Sequence, residues 1–104
     1  MVAKLVVLYG HPEDPAAFDS YYENTHIPLA KKVPGLRSYS VSTGPVMTPA
    51  GPSEDFHLVA TLTWDGIEDL QAALGSPEGG TTAADVANFA TGGATMLVFD
   101  EREV

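Results

Sequence analysis

Three histidines and four tyrosines stand out as the residues that could do chemistry in this chain of 104 residues. His26 is the most suggestive, because Phe18, Tyr22 and His26 follow at intervals of four and so share one helix face. An imidazole with an ordinary pKa of about 6.5 suits general acid–base catalysis near neutral pH. A tyrosine one turn away could orient a substrate carbonyl or stabilise an enolate. The pattern alone, however, favours a histidine that caps the helix or lies satisfied in the core.

The remaining histidines and one carboxylate have ordinary structural interpretations beside the functional ones. His11 lies in a Gly-His-Pro turn, where hydrogen bonding that shapes the loop is the usual role. His57 begins a strand, and it is as typical of a contact between subunits as of a functional site. Asp85 lies on an otherwise uncharged helix face, which is more typical of a surface carboxylate. The histidine spacings match no known ligand pattern, so we predict no zinc or iron site.

The composition excludes several classes of function. Hydrophobic residues make up 44% of the chain, enough for a packed core, and no apolar run comes near the ~20 residues of a membrane helix. Cysteine is absent, which excludes disulfides, thiolate nucleophiles and cysteine-bound metals. Acids outnumber bases 14 to 5, so nucleic acid and anionic membranes are improbable partners. We expect a single domain over residues 1–104 and, without a signal-peptide pattern, a cytoplasmic location.

The elements that must position these side chains begin with a strand, a helix and a second strand. An apolar run from Lys4 to Tyr9 predicts a strand buried on both faces. An Asp-Pro pair predicts a helix start, and we expect that helix from Pro15 to Thr25, ending or kinking before Pro28. Alternating residues from Leu36 to Thr43 predict the second strand, and prolines and glycines predict a loop from Gly44 to Ser53.

The second half predicts a strand, a helix in two parts and a last strand. Phe56 to Trp64 is the strongest strand pattern, with both faces apolar or β-branched enough to need cover. A helix follows Asp65-Gly66, and Ser76 to Gly80 is expected to interrupt it. The helix resumes from Thr82 to Ala90, and Ala94 to Phe99 forms the last strand. The residues expected to point inward from the first part are Ile67, Leu70, Ala73 and Leu74.

The order strand, helix, strand, strand, helix, strand is the ferredoxin-like βαββαβ pattern. It predicts an α+β fold in which helices cover one face of a four-stranded antiparallel sheet. The other face is left open, and its apolar residues call for a second copy of the chain. The pattern therefore predicts a homodimer packed sheet to sheet.

Residues 5–39, LVVLYGHPEDPAAFDSYYENTHIPLAKKVPGLRSY, carry a resemblance to the EthD-like proteins. The shared features are the His-Pro turn, the Phe-Asp-x-Tyr-Tyr helix, the His-x-Pro-Leu-Ala bend and the Pro-Gly-Leu-Arg strand entry. Residues 56–93 resemble the same family, with its Ala-Asp-Val-x-Asn-Phe segment. The resemblance implies the dimeric α/β-barrel superfamily, in which two ferredoxin-like sheets close into a barrel. Trp64 is a departure, because many relatives carry Phe there, and it affects packing more than mechanism.

The resemblance also implies a pocket between the sheet and the helices, in which His and Tyr transfer protons. EthD is named for a role in ether degradation, and related families include cofactor-free monooxygenases, polyketide cyclases, isomerases and haem-binding enzymes. By resemblance His26 matches the histidine of the His-x-Pro-Leu-Ala bend, Tyr22 the second aromatic of the Tyr-Tyr pair, and Asp85 the acid of the Ala-Asp segment. The resemblance thus favours a pocket role for His26 over capping.

These inferences lead to one functional hypothesis and two rivals. The hypothesis is cofactor-independent acid–base chemistry on a small hydrophobic or phenolic carbonyl compound: cyclisation, isomerisation, dehydration or decarboxylation. His26 and Tyr22 are the predicted catalytic residues, and the predicted substrate-binding residues are Tyr9, Phe18, His57 and Asp85. One rival is a binding protein that delivers a hydrophobic metabolite to a partner oxidase. The other is haem bound through one histidine, although we predict no cofactor.

Overall fold

A computed structural model describes residues 1–104, which form six strands and four α-helices. The strands are β1 (Val2–Gly10), β2 (Ser38–Val41), β3 (Met47–Thr48), β4 (Gly51–Pro52), β5 (Phe56–Trp64) and β6 (Ala94–Glu101). The helices are α1 (Pro15–Tyr21), α2 (Ile27–Ala30), α3 (Ile67–Leu74) and α4 (Pro77–Asp85). A π-helical turn (Tyr22–His26) joins α1 to α2, and a 3₁₀ turn (Val86–Asn88) follows α4. None of these helices has the length and apolar character needed to cross a membrane.

The four long strands form one antiparallel sheet in the order β2-β5-β1-β6. Its register places Leu5 opposite Leu62 of β5 and Val98 of β6. The predicted α+β, ferredoxin-like fold is therefore confirmed. The short strands β3 and β4 form a separate hairpin within the segment predicted as a loop.

The two faces of the sheet differ in how far they are covered. On β1 alternate residues are buried, and they pack beneath the helices with Leu62 and Trp64 of β5. The residues between them on β1 are only half-buried, because no helix crosses the other face. The prediction that β1 is buried on both faces is thus wrong within one chain. The buried face carries Ala3, Leu5, Val7 and Tyr9.

The first helix continues past the point where Pro28 was expected to end or kink it. In a regular α-helix the ring of Pro28 would clash with the carbonyl one turn back, and its missing amide hydrogen would break the bonding pattern. The wider π turn accommodates both effects, since the Ile27 amide bonds the carbonyl of Tyr22, five residues before it. Helical backbone therefore runs without a break from α1 through Pro28 to Ala30.

The interruption expected over Ser76–Gly80 is present but shorter, because α4 already begins at Pro77. Ser76 is its N-cap, with Oγ accepting from the amide of Gly79 at 3.0 Å. Pro77 occupies the first helical position, where its missing amide hydrogen is not needed. The break between α3 and α4 is thus a single turn, and α4 ends at Asp85 rather than running on to Ala90.

Candidate functional site

His26 and Asp85 form a buried pair between two helical elements. His26 ends the π turn and Asp85 ends α4, and Nδ1 of the imidazole lies 2.9 Å from Oδ2 of the carboxylate. The two residues are only 4% and 7% exposed. The rings of Tyr22 and Phe89 pack against the imidazole, and their centroids lie 5.2 and 4.7 Å from its centroid.

Two further side chains donate to the other oxygen of Asp85. The Tyr21 hydroxyl donates to Oδ1 at 2.6 Å, and the Asn88 amide donates to it at 3.1 Å. Burial favours the neutral acid, but the hydrogen bonds from Tyr21, His26 and Asn88 outweigh it and hold the pKa of Asp85 below its ordinary value. The hydrogen bond to this carboxylate in turn raises the pKa of Tyr21. Asp85 is therefore ionised at neutral pH.

The ionised carboxylate decides which nitrogen of His26 carries the proton. A carboxylate only accepts hydrogen bonds, so Nδ1 of His26 must donate. A neutral His26 then has a lone pair on Nε2, which has no hydrogen-bond partner. No fully buried side-chain nitrogen or oxygen lacks a partner in this protein, so Nε2 is in contact with open space. A carboxylate orients an imidazole in the same way in enzymes that use histidine as a general base.

The open space beside His26 is an apolar cavity of about 60 Å³ between the sheet and the helices, called here the inner cavity. Its floor is formed by residues of the sheet, and its far wall by α4. Leu74 and Met96 border it and are 42% and 47% exposed, so they stand at its mouth. The polar side chains that face it include His26, Tyr9, Tyr22 and Tyr39.

The three tyrosines of the inner cavity form a connected group. The hydroxyls of Tyr22 and Tyr39 are 2.5 Å apart, and the ring of Tyr9 lies edge-on to that of Tyr22 with centroids 5.6 Å apart. Burial, and then the neighbouring tyrosines, raise the pKa of Tyr9 and of Tyr22 far above the ordinary value. These phenols therefore stay protonated and act as hydrogen-bond donors, not as bases.

A second depression, called here the outer cleft, lies beside the inner cavity and has a volume of about 500 Å³. His57 and Asp19 lie in it, with Nε2 of the imidazole 2.8 Å from Oδ1 of the carboxylate. His11 lies there too, and its Nε2 is 3.0 Å from the carbonyl oxygen of Ser53. Tyr22 lines both spaces and separates them.

The structure brings together most, but not all, of the residues predicted for the site. Tyr9, Tyr22 and His26 line the inner cavity, and Asp85 supports His26 from behind. Phe18 does not line the cavity, because it packs against the rings of Tyr9 and Tyr22. His57 lines the outer cleft and is separate from His26.

Three residues of the site were missed from the sequence, namely Tyr21, Tyr39 and Asn88. Asn88 could have been found, because it follows Asp85 at a spacing of three and so lies on the same helical face. Tyr21 and Tyr39 reach partners 64 and 17 residues away, and no local pattern indicates such contacts. No group of three or more His, Cys, Asp or Glu side chains is close enough to hold a metal ion.

Residues 10–93 match the family model of the EthD domain. The chain belongs to the EthD family. An uncharacterized 11.0 kDa protein of the thcB–thcC intergenic region of Rhodococcus erythropolis is 39% identical to this EthD chain over 101 residues, covering 97% of the chain and 96% of that protein. An EthD family protein from Bacillus halodurans is 38% identical, with a TM-score of 0.88 over 98% of this chain and 100% of that one.

More distant structures share the fold of this EthD chain. A hydroxynitrile lyase from Passiflora edulis has a TM-score of 0.76 at 14% identity, over 99% of this chain and 95% of that one. SnoaB, a cofactor-independent oxygenase from Streptomyces nogalater, has a TM-score of 0.64 at 19% identity, over 99% and 94%. A dimeric ferredoxin-like protein from Bacteroides fragilis has a TM-score of 0.65 at 16% identity, over 96% of each chain. The EthD fold is thus related to that of cofactor-independent oxygenases and a lyase.

Proposed function

We propose that this EthD chain catalyses cofactor-independent proton transfer on a small hydrophobic carbonyl compound, aromatic or phenolic, bound in the inner cavity. The observation that carries the proposal is the orientation of His26. Its Nδ1 is held by the ionised Asp85, and its unpartnered Nε2 is available in an apolar cavity. A buried imidazole oriented in this way can act as a general base when a substrate proton lies within hydrogen-bond reach of Nε2.

The side chains around the cavity support a simple sequence of steps. Nε2 of His26 takes a proton from the carbon next to the carbonyl, and the electron pair moves onto the carbonyl oxygen as an enolate. Asp85 stabilises the imidazolium that forms. In the Tyr22–Tyr39 pair the accepting hydroxyl keeps its own hydrogen, which can be donated to the enolate oxygen. In an isomerisation the imidazolium returns the proton to a different carbon of the conjugated system. In a dehydration it protonates the leaving hydroxyl, which departs as water when its C–O bond breaks. In a cyclisation the enolate carbon bonds to a second carbonyl carbon, and the oxygen of that carbonyl takes the proton.

The size of the cavity sets a condition on binding. A volume of about 60 Å³ is well below the ~150 Å³ of a cavity that holds benzene, so an aromatic ring enters only if the mouth widens. Met96 and Leu74 form that mouth and are exposed, and methionine adapts easily to a ligand because its side chain is unbranched and flexible. Binding therefore displaces the side chains at the mouth and leaves the His26–Asp85 pair in place.

The rival function is binding without catalysis, as an accessory protein for a partner oxidase. It uses the same apolar cavity but needs no proton transfer by His26. The relatives with the same fold include both a lyase and an oxygenase, which supports catalysis without choosing the reaction.

A deuterium-exchange experiment tests the proposal and separates it from its rival. Acetophenone and the phenol 2′-hydroxyacetophenone are incubated with the protein in D₂O, and exchange of their methyl protons is followed by NMR. Catalysis predicts exchange that His26→Gln slows about 10²–10⁴-fold. The matched control is Asn24→Ala, because Asn24 is an exposed residue of the same π turn. This variant should catalyse exchange at the wild-type rate. Binding without exchange would favour the accessory protein, and exchange unaffected by His26→Gln would remove His26 as the base.

We also propose that the functional unit is a homodimer of single-domain subunits joined through the open face of the sheet. The register places Val6, Leu97 and Thr61 side by side there, and Leu8 and Val59 are neighbours in the next row. Leu97 and Phe99 are 48% and 39% exposed in the single chain, an apolar exposure typical of an interface. The dimeric relative from Bacteroides fragilis shares this fold and supports the proposal.

A further inference from the structure

The outer cleft contains a second histidine–carboxylate pair, and its hydrogen is assigned by the same reasoning as at His26. The carboxylate of Asp19 only accepts, so Nε2 of His57 donates to it over 2.8 Å. A neutral His57 then has an acceptor lone pair on Nδ1. The side chain of His57 is 19% exposed and its ring lies edge-on to Phe18, with centroids 5.0 Å apart.

His11 is fixed in the same tautomer by a different partner. The carbonyl oxygen of Ser53 can only accept, so Nε2 of His11 donates over 3.0 Å and Nδ1 is again the acceptor. The rings of His11 and His57 are 6.0 Å apart between centroids, with their planes at 63°. Neither Nδ1 has a hydrogen-bond partner in the protein. His11 is an exposed residue. Nδ1 of His57 is not fully buried, because no fully buried nitrogen of a residue that is not itself exposed lacks a partner. Both nitrogens are therefore open to a ligand. The outer cleft thus offers two neighbouring acceptors.

The rest of the lining indicates the class of ligand that these acceptors would meet. The carboxylates of Asp19 and Glu23 line the cleft and no lysine or arginine does, so an anion is disfavoured. A volume of about 500 Å³ lies within the ~300–1,000 Å³ of ordinary small-molecule sites. The apolar surface that a ring could contact is provided by Tyr22, Val41, Val46, Phe56 and Leu58.

We propose that the outer cleft is a second ligand site, which binds an uncharged hydroxylated aromatic molecule. Its hydroxyl groups donate to Nδ1 of His11 and of His57, and its ring packs against the apolar wall. Asp19 is a positioning residue, because it holds the tautomer of His57. This site does not depend on the chemistry proposed for His26, which lies beyond Tyr22 in the inner cavity.

The three histidines serve as reporters of where a ligand binds. The probe is resorcinol, titrated into full-length protein labelled with ¹³C in its histidine rings and followed by NMR. The site predicts saturable shifts of the His11 and His57 ring signals with little change at His26. The matched control ligand is 1,3-dimethoxybenzene, which has the same ring without hydroxyl donors, and it should bind at least about tenfold more weakly, a difference of about 1.4 kcal/mol.

A variant tests the role of the acceptor itself. His57→Phe keeps an aromatic ring against Phe18 but removes Nδ1, so resorcinol affinity should fall at least about tenfold while the fold, checked by circular dichroism, is retained. The proposal is overturned if resorcinol shifts only the His26 signals, if it fails to bind, or if 1,3-dimethoxybenzene binds equally well. None of these results changes the exchange chemistry measured with acetophenone, so failure here is distinguishable from failure of the His26 proposal.

Discussion

At the scale of single residues, the site depends on how Asp85 is kept charged inside the protein. Burying a carboxylate is costly unless it is fully hydrogen-bonded. Asp85 accepts from His26, Tyr21 and Asn88, and these donors lower its pKa despite its burial. The charge then orients His26, so one set of hydrogen bonds provides both stability and a defined base.

Asp85→Asn should therefore destabilise the protein by about 1–3 kcal/mol at pH 7, because the donors lose a charged acceptor. For a domain of this size about 1 kcal/mol corresponds to about 4–8 °C in Tm. Thermal unfolding followed by circular dichroism measures the effect. Asp100→Asn is the matched control, since Asp100 is exposed on β6 and its substitution should leave Tm nearly unchanged. Equal Tm values for wild type and Asp85→Asn would contradict the charged network.

The same network predicts how stability depends on pH. The pKa of Asp85 is lower in the folded protein than its ordinary value, which is about 3.9 in an unfolded chain. Its contribution is therefore complete above about pH 4 and is lost as the pH falls through the folded pKa. The Tm difference between wild type and Asp85→Asn should shrink as the pH falls below about 4. A difference that stays the same or grows between about pH 4 and pH 2 would contradict the lowered pKa of Asp85.

At the scale of elements, the joint between α3 and α4 decides where Asp85 is placed. Ser76 caps α4, and Gly79 lies directly against the backbone of α3. A Cβ atom at Gly79 would overlap the carbonyl oxygen of Ala73, whereas one at Gly80 would meet open space. The absence of a side chain at Gly79 thus lets α4 pack closely on α3 and carry its last residue to His26.

Two neighbouring glycines give a matched test of this contact. Gly79→Ala should destabilise the protein by about 1–3 kcal/mol, because the two helices must separate to admit the methyl group. Gly80→Ala should stabilise it by about 0.5–1 kcal/mol, because alanine favours the helix and nothing obstructs it. Urea unfolding measures both variants. Similar effects of the two substitutions would mean that the close approach of α3 and α4 contributes nothing.

At the scale of the whole molecule, the sheet presents one covered and one open face, and β6 lies at its edge. All residues of β6 are exposed in the single chain, including Leu97 on the open face and Val98 on the helical side. The two side chains are 48% and 45% exposed, so they are about equally accessible and differ only in the face of the sheet on which they lie. A dimer through the open face would bury Leu97 and leave Val98 as exposed as it is in the single chain.

Leu97→Lys and Val98→Lys therefore test the proposed dimer. Wild type should sediment at micromolar concentration as twice 11.0 kDa, and Leu97→Lys should shift it to monomer because a lysine would be buried in the interface. Val98→Lys places the same charge on the other side of the strand and should remain dimeric. Analytical ultracentrifugation distinguishes these states. A monomeric wild type, or equal dissociation of both variants, would reject packing through this face.

The sequence by itself determined the elements whose signals are local. The strand Phe56–Trp64 has the predicted bounds, because alternation and β-branched residues act within a few neighbours. Pro15 begins α1 as predicted, since a cap and a proline act within one turn. The order of these elements along the chain was then enough to predict the ferredoxin-like sheet. His26 and Tyr22 could be singled out because a spacing of four places them on one face.

Only the tertiary structure decided how these elements meet. His26 and Asp85 are 59 residues apart, and their contact depends on α4 docking through Gly79. The predicted site residues also lie in two separate spaces, with His57 in the outer cleft and His26 in the inner cavity, and no sequence spacing indicates this. The physical reason is the distance along the chain over which each effect acts. Propensity, capping and periodicity act over a few residues, whereas a hydrogen bond between distant side chains depends on packing of the whole chain.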